Sequence, residues 1–262
     1  MIKAAFFDID GTLVSFNTHT IPQSTLNAIS DIRKKGVKVF IATGRPLPFI
    51  NNLGQLEYDG IMSVTGASCT TADGTIISQN PVPKEDIERL IADLKVHPMP
   101  VAFASDDQAI VTYLDADTKK FQNVFTLLNI ELPPSQPIEK ALNMNVTQII
   151  AFFNEKEEPR IMHDVLKGCD ANRWHPDFAD CVAKGTNKAT GIDAICKYYG
   201  IALNETVAFG DGGNDITMLR HAGVGVAMGN ASDEVKQHAD MITDTVDNDG
   251  IAKALKSLME LQ

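Results

Sequence analysis

Short apolar runs alternate with amphipathic stretches in both terminal thirds of the chain. Runs at 3–8, 37–42 and 60–64, and again at 206–210, 223–227 and 240–242, read as buried strands. Between them, stretches at 23–35, 46–55, 188–199, 214–221, 232–238 and 249–260 carry apolar residues at helical spacing. Such alternation predicts βαβ units, and with them an α/β, Rossmann-like core whose parallel sheet is covered on both faces. The middle third has another rhythm. A β-hairpin with an Asp73-Gly74 turn is expected over 67–79, and Pro81 and Pro83 then mark a boundary. Beyond it come a helix near 84–95, paired strands at 101–104 and 108–113, and a helix at 117–128. A strand at 146–153, a helix at 157–167 and two short strands near 171–175 and 178–182 complete it. We therefore expect an inserted α+β cap domain over 82–181, with 1–81 and 182–262 forming the core.

Composition narrows the classes. At 262 residues, 44% hydrophobic and 22% charged, the chain suits two modest domains of a globular protein. No apolar run approaches a membrane span, and no charged-then-apolar leader pattern is read at the N-terminus. The four cysteines (Cys69, Cys169, Cys181 and Cys196) lie far apart without metal-ligand spacing, so buried thiols in a reducing cytoplasm are expected. The net charge of −11 argues against a nucleic-acid partner. An anionic ligand must then be held by local cations, which favours a small phosphorylated metabolite over a long polyanion.

Four segments carry the chemistry. Phe6-Phe7-Asp8-Ile9-Asp10-Gly11-Thr12 ends a buried strand in two carboxylates two residues apart, facing the same side before glycine breaks the run. Carboxylates forced together at an apolar strand end repel, and a divalent cation such as Mg²⁺ relieves that repulsion. Val39-Phe40-Ile41-Ala42-Thr43-Gly44-Arg45 ends a second strand in a hydroxyl, a glycine and a cation, groups suited to a phosphate oxygen. Lys188, after Lys184-Gly185-Thr186-Asn187, stands where a helical pattern begins. Thr206-Val207-Ala208-Phe209-Gly210-Asp211-Gly212-Gly213-Asn214-Asp215 ends a third strand in carboxylates, with Asn214 and Asp215 as capping-type residues.

In this order the four segments resemble the motifs of the haloacid dehalogenase-like phosphohydrolases: D-x-D-G-T, a Thr or Ser, a Lys, and G-D-x-x-N-D. The resemblance covers 1–80 and about 182–262, and within the family the chain looks like the Cof-type sugar-phosphate phosphatase branch. Two departures stand out: Val64-Thr65-Gly66-Ala67 where that branch shows Asn-Gly-Ala, and Ala189 where it shows glycine. The resemblance implies a Mg²⁺-dependent phosphatase that works through an aspartyl-phosphate. Asp8 would be the nucleophile, and Asp10 the acid and base, with a pKa above that of Asp8. Thr43, Gly44 and Lys188 would bind the phosphoryl group. Asp8, Asp10, Asp211, Asn214 and Asp215 would serve the metal, directly or through bound waters, and Asn214 would also border the substrate.

Arg45 is a candidate for a substrate hydroxyl or second phosphate oxygen. Arg173-Trp174-His175-Pro176 and Asp177-Phe178-Ala179-Asp180 sit on the last strand pair of the cap and run back into Lys184. Trp174, the one tryptophan of the chain, is thereby a candidate sugar platform, weighed evenly against a packing role. Two other functions share the chemistry. A sugar phosphomutase uses the same aspartyl-phosphate; a non-enzymatic phospho-accepting signalling domain uses a similar acidic cluster but has no Asp two residues after the acceptor. The expected assembly is a monomer or weak homo-oligomer.

Overall fold

The computed structural model describes residues 1–112, 122, 123, 125, 126 and 130–260. Along the chain the strands are β1 (Ala4–Phe7), β2 (Lys38–Ala42), β3 (Gly60–Ser63), β4 (Ser68–Thr71) and β5 (Ile76–Gln79). They continue with β6 (Val101–Ala104), β7 (Ala109–Thr112), β8 (Gln148–Ala151), β9 (Cys169–His175) and β10 (Phe178–Ala183). The last three are β11 (Thr206–Gly210), β12 (Val224–Ala227) and β13 (Met241–Ile242). Two compact units emerge: Met1–Gly44, Asn52–Ser78 and Asn187–Gln262 form the first, Arg45–Asn51 and Gln79–Thr186 the second.

The first unit is built on an eight-stranded sheet in the order β13-β12-β11-β1-β2-β3-β4-β5. From β13 to β3 every pairing is parallel, and β4 turns back antiparallel on β3. Both faces are covered, as the apolar strands require: β1 and β2 are buried almost end to end. On one face Ala4, Phe6, Phe40 and Met62 pack with Ile192 and Ile195 of the Lys188–Tyr199 helix. Phe6 stacks on Phe40 at 5.1 Å and Phe7, on the other face, stacks on Phe209 at 4.8 Å. The amphipathic helices Gln23–Lys34 and Gly250–Glu260 pack against each other. Side-chain alternation puts residue 8 on the face of Ala4 and Phe6, the face that carries the lysine helix.

The second unit holds a five-stranded sheet, β7-β6-β8-β10-β9, with every pairing antiparallel. One apolar cluster joins Phe103, Ile149 and Phe153 to Leu90 and Leu94 of the Lys84–Leu94 helix. A second joins Ala102, Ile150, Phe152 and Phe178 to Phe49 and Phe125.

Two segments differ from the periodicity, and a third cannot be compared. The helix expected at 117–128 falls largely outside the described residues. The helical spacing at 46–55 gives no α-helix: Pro46 and Pro48 remove N–H donors, leaving one 3₁₀ turn, Leu47–Phe49. Residues 45–51 group with the second unit rather than with the core assigned to 1–81, because Phe49 is buried edge-on against Phe125 at 5.5 Å. The helix expected at 157–167 is a single turn, Glu158–Arg160, running into a π-helical turn at Ile161–Val165. The four cysteines are buried and form no disulfide, and no helix among the described residues is long and apolar enough to cross a membrane.

Phe40 ties three elements together through Phe6, Tyr199 and the tight approach of Gly60. Phe40→Ala is expected to lower stability by about 3–5 kcal/mol, read as a drop in the urea midpoint with the slope unchanged.

Candidate active site

The site is assembled where β1, β2 and β11 end. These are neighbouring parallel strands, so their carboxyl ends open on one edge of the sheet. The ladder extends one residue past β1, with Asp8 N–H donating to Phe209 O at 3.0 Å. The chain then turns sharply through Gly11, at φ +89°, where a Cβ would fall 2.2 Å from Asp211 Oδ2. Only glycine lets the D-x-D-G-T loop lie against that carboxylate. Gly210 serves the other side, since a Cβ there would sit 2.5 Å from that of Asp215.

Lys188 is the centre of the arrangement. The Asn187 carboxamide caps its helix by accepting from Ala189 N and Thr190 N. Lys188 is thereby the first helical residue, and Ile192 and Ile195 hold the helix on the sheet face that Asp8 shares. The ammonium is wholly buried and donates to Asp8 Oδ1 at 2.6 Å, Asp215 Oδ1 at 2.5 Å and Ala42 O at 2.7 Å. Its three protons match three acceptors. Asp215 Oδ2 in turn accepts from Asp211 N–H at 2.9 Å and Gly212 N–H at 2.8 Å. Asp211 accepts from Thr12 Oγ1 at 2.9 Å and from Asn230 Nδ2 at 3.2 Å.

Electrostatics follow from this packing. Burial raises the Asp8 carboxyl well above the ordinary range, the charge of Asp215 adds to it, and Lys188 opposes. This upward push thus falls on the carboxyl expected to be the more acidic of the Asp8–Asp10 pair. Burial, reinforced by Asp215, lifts Asp211 to about 6, with the Thr12 hydroxyl acting against it. Burial alone would lower the Lys188 pKa, but Asp215 and Asp8 reverse this and hold it above its usual value. Carboxylate oxygens of Asp8, Asp211 and Asp215 lie within 4.8 Å of one another. One ammonium among three carboxylates leaves negative charge in excess. An all-oxygen donor set with that excess fits a hard divalent cation.

The structure brings Asp8, Asp10, Thr43, Gly44, Lys188, Asp211, Asn214 and Asp215 together in the first unit. Thr43 is buried, its N–H on Met62 O at 2.8 Å and its carbonyl accepting from Thr65 N–H at 2.9 Å. Asn214 is exposed, with Nδ2 3.3 Å from where a Gly44 Cβ would stand. Arg45 and Trp174 belong to the second unit. Arg45 Nη1 donates to Phe49 O at 3.2 Å, while Trp174 on β9 is half exposed.

Other contributors were not singled out by sequence. Thr12 lies inside the first motif without an assigned role. Asn230 binds both Gly11 O, at 2.8 Å, and Asp211, and follows an apolar strand and a glycine as the motif residues do. Val64 and Thr65 adopt φ of 49° and 51°, a region costly for β-branched residues, where the branch would place an asparagine. Thr65 N–H holds Thr43 O, so this strained turn braces the loop after β2.

A buried carboxylate against a lysine, with three carboxylates clustered at parallel strand ends, is the geometry to set beside known proteins, and its relatives are phosphoric monoester hydrolases. The chain belongs to the haloacid dehalogenase-like hydrolases, whose family profile matches residues 5–255, and to their Cof-type branch. Among solved structures it resembles the subclass IIB sugar phosphatase BT4131, at 43% identity, 98% coverage of both chains and a TM-score of 0.85. It also resembles the phosphatase BT1666 of Bacteroides thetaiotaomicron, at 38% identity, covering 98% of this chain and 95% of that one, TM-score 0.88. The 5-amino-6-(5-phospho-D-ribitylamino)uracil phosphatase YitU of Bacillus subtilis (strain 168) is 29% identical, covering 97% of this chain and 96% of that protein.

Replacing Lys188 with methionine keeps most of the volume and leaves Asp8 and Asp215 buried without their cation. In excess chelator the variant is expected to lose about 3–5 kcal/mol at neutral pH. Carboxyls with raised folded-state pKa values destabilise above those values and cease to once protonated in both states. The deficit should therefore shrink as pH falls toward 4, and urea titrations across that window check it.

Proposed function

We propose that the chain is a cytoplasmic, Mg²⁺-dependent phosphatase of small phosphate monoesters, preferring sugar phosphates and working through an aspartyl-phosphate. The observation that carries this reading is the contact between Lys188 Nζ and Asp8 Oδ1 at 2.6 Å. It fixes one oxygen of Asp8 and directs the other to the substrate. Asp8 Oδ2 attacks phosphorus as the ester P–O bond breaks, and Asp10 gives its proton to the leaving oxygen. Asp10 then takes a proton from water, which attacks the phosphoryl group, releases inorganic phosphate and frees Asp8. Lys188, the Thr43 hydroxyl and the Gly44 N–H bind the phosphoryl oxygens. Asp8, Asp10 and Asp211 would hold Mg²⁺; Asp215, engaged by Lys188 and two amides, and Asn214 orient those ligands. The bound cation supplies charge neutralisation at the transferred group.

Substrate class rests on the leaving group, because the phosphoryl contacts are common to every monoester. BT4131 is a sugar phosphatase and the YitU substrate carries its phosphate on a ribityl chain. A phosphorylated polyol is the chemistry the two share. Trp174 offers one exposed ring, with Arg45 as a further hydrogen-bonding group, which suits a sugar better than a nucleobase seeking two stacking partners.

Four measurements test the reading. Asp8→Asn should retain less than about a thousandth of wild-type kcat, since losing a nucleophile costs several kcal/mol. Phosphate release should vanish with chelator and return with Mg²⁺, and Ca²⁺ should inhibit because its looser shell spoils in-line geometry. Asp211→Ala should raise the Mg²⁺ requirement far more than Asn214→Ala. Hexose or pentose phosphates should exceed nucleotides in kcat/KM by about tenfold, equivalent to about 1.4 kcal/mol; full activity in excess chelator, or a nucleotide preference, contradicts the scheme.

A further inference from the structure

The loop that carries Asp10 is held by side chains that take no part in the reaction proposed above. Past β1 the chain closes on itself: Leu13 N–H donates to Asp8 O at 3.2 Å, Val14 N–H to Ile9 O at 2.7 Å and Gly11 N–H to Val14 O at 2.9 Å. These bonds make residues 8–14 one block. Burial of Leu13 and Val14 seats the block, but apolar contact is non-directional and sets its depth rather than its heading. The heading comes from hydrogen bonds to the loops that follow β12 and β13.

Asn230 supplies the first hold. Its Nδ2 donates to Gly11 O at 2.8 Å and to Asp211 Oδ2 at 3.2 Å, while its Oδ1 accepts from Val246 N–H at 3.1 Å. Only one orientation of the amide serves two acceptors and a donor at once. Asp211 thus takes a neutral donor on each oxygen, Thr12 on Oδ1 and Asn230 on Oδ2. Gly229 lets this turn press on the neighbouring backbone, since a Cβ there would fall 2.7 Å from Thr245 N. Asp247, one residue past Val246, supplies the second hold: Oδ1 accepts from Ser15 Oγ at 2.5 Å and Oδ2 from Asn17 Nδ2 at 2.6 Å. Ser15 is buried. Its Oγ also accepts from Asn17 N–H at 3.0 Å and Thr18 N–H at 3.3 Å, so the segment after the block folds around the same hydroxyl.

We propose that Asn230 and Asp247 are positioning residues for the acid–base carboxyl of Asp10 and for the carboxylate cluster, one holding the loop at Gly11 and the other at Ser15 and Asn17. They lie 219 and 232 positions from Gly11 and Ser15, and Val246 N–H joins the two holds into one frame. A block fixed at one point pivots, whereas a block fixed at two keeps its direction. Asp10 therefore meets the leaving oxygen from a set angle, and a misplacement of about 1 Å would cost on the order of 100-fold in rate. Each Asp211 oxygen keeps lone pairs for a hard cation. This rests on the phosphatase reading above and adds which residues aim its acid.

The test compares kcat/KM on two esters in the full-length Mg²⁺-loaded enzyme. One is 4-nitrophenyl phosphate, whose phenolate leaves without a proton; the other is glucose 6-phosphate or ribose 5-phosphate, whichever is turned over faster. Because kcat/KM covers only the steps up to departure of the leaving group, hydrolysis of the aspartyl-phosphate does not enter. Asp247→Ala should lower the sugar phosphate value about tenfold more than the aryl value, a part of what a general acid contributes. Asn230→Ala should weaken Mg²⁺ binding to the chelator-treated, substrate-free protein about tenfold by calorimetry, as losing the partner of a metal ligand does. Both side chains lie at the surface, so truncation opens no buried void, and urea titrations check folding. Should Asp247→Ala not fold, Asp247→Asn, which keeps an oxygen for Ser15 but not for Asn17, carries the same test with a smaller difference. Equal losses on both esters in the Asp247 variant, or unchanged Mg²⁺ binding in Asn230→Ala, overturn the frame and leave the phosphatase reading intact. A wild-type enzyme inactive on both sugar phosphates overturns the proposed function and the inference with it.

Discussion

Three acceptors on one buried ammonium organise the first unit. Lys188 joins the end of β1 through Asp8, the end of β2 through Ala42 O, and the loop after β11 through Asp215. An unpaired lysine in that position would be prohibitively costly, and two unpaired carboxylates no less so. Each charge is therefore tolerable only when the three strand ends and the helix start are in register. The same requirement gathers the carboxylates of Asp8, Asp211 and Asp215. Asp215 extends the constraint to the backbone of Asp211 and Gly212, and Thr12 and Asn230 extend it across to the first loop.

Stability and chemistry pull against each other here. Apolar strands bring carboxylates close together and away from water, which lifts Asp8 and Asp211 and leaves negative charge in excess. A well-packed apolar substitute would make a more comfortable core. What the charged arrangement supplies instead is an oriented carboxylate, a fixed cation and an all-oxygen cluster that could hold a metal. The turn at Val64 and Thr65 belongs to the same compromise, with positive φ at two β-branched residues bracing Thr43.

In the second unit, one cation again fixes a loop, through one carboxylate and several backbone carbonyls. Arg173 pairs with Glu158 through Nε and gathers backbone carbonyls through Nη1, so it shapes a turn. The first unit holds its charged cluster buried, whereas the second leaves the Trp174 ring half exposed.

Much of this was legible along the chain because it depends on neighbours a few residues apart. Apolar runs ended by Asp8, Thr43 and Asp211 marked strand ends, and Asn187 before a helical pattern placed Lys188 at a helix start. Asp73-Gly74 marked the hairpin, with Gly74 at φ +85°. Where two local signals competed the sequence misled: helical spacing at 46–55 lost to Pro46 and Pro48. Pairings across long separations were not legible. Nothing near Lys188 in sequence distinguishes a solvated lysine from a fully buried one, and its partner Asp8 lies 180 residues away. Thr12 and Asn230 meet at Asp211 only because parallel strands bring distant loops to one edge. Periodicity and turn chemistry, which are local, determined the elements and the candidates. Which charges are buried, and against what, was decided by the sheet order and the helix packed on its face, since burial and pairing exist only once the chain has closed on itself.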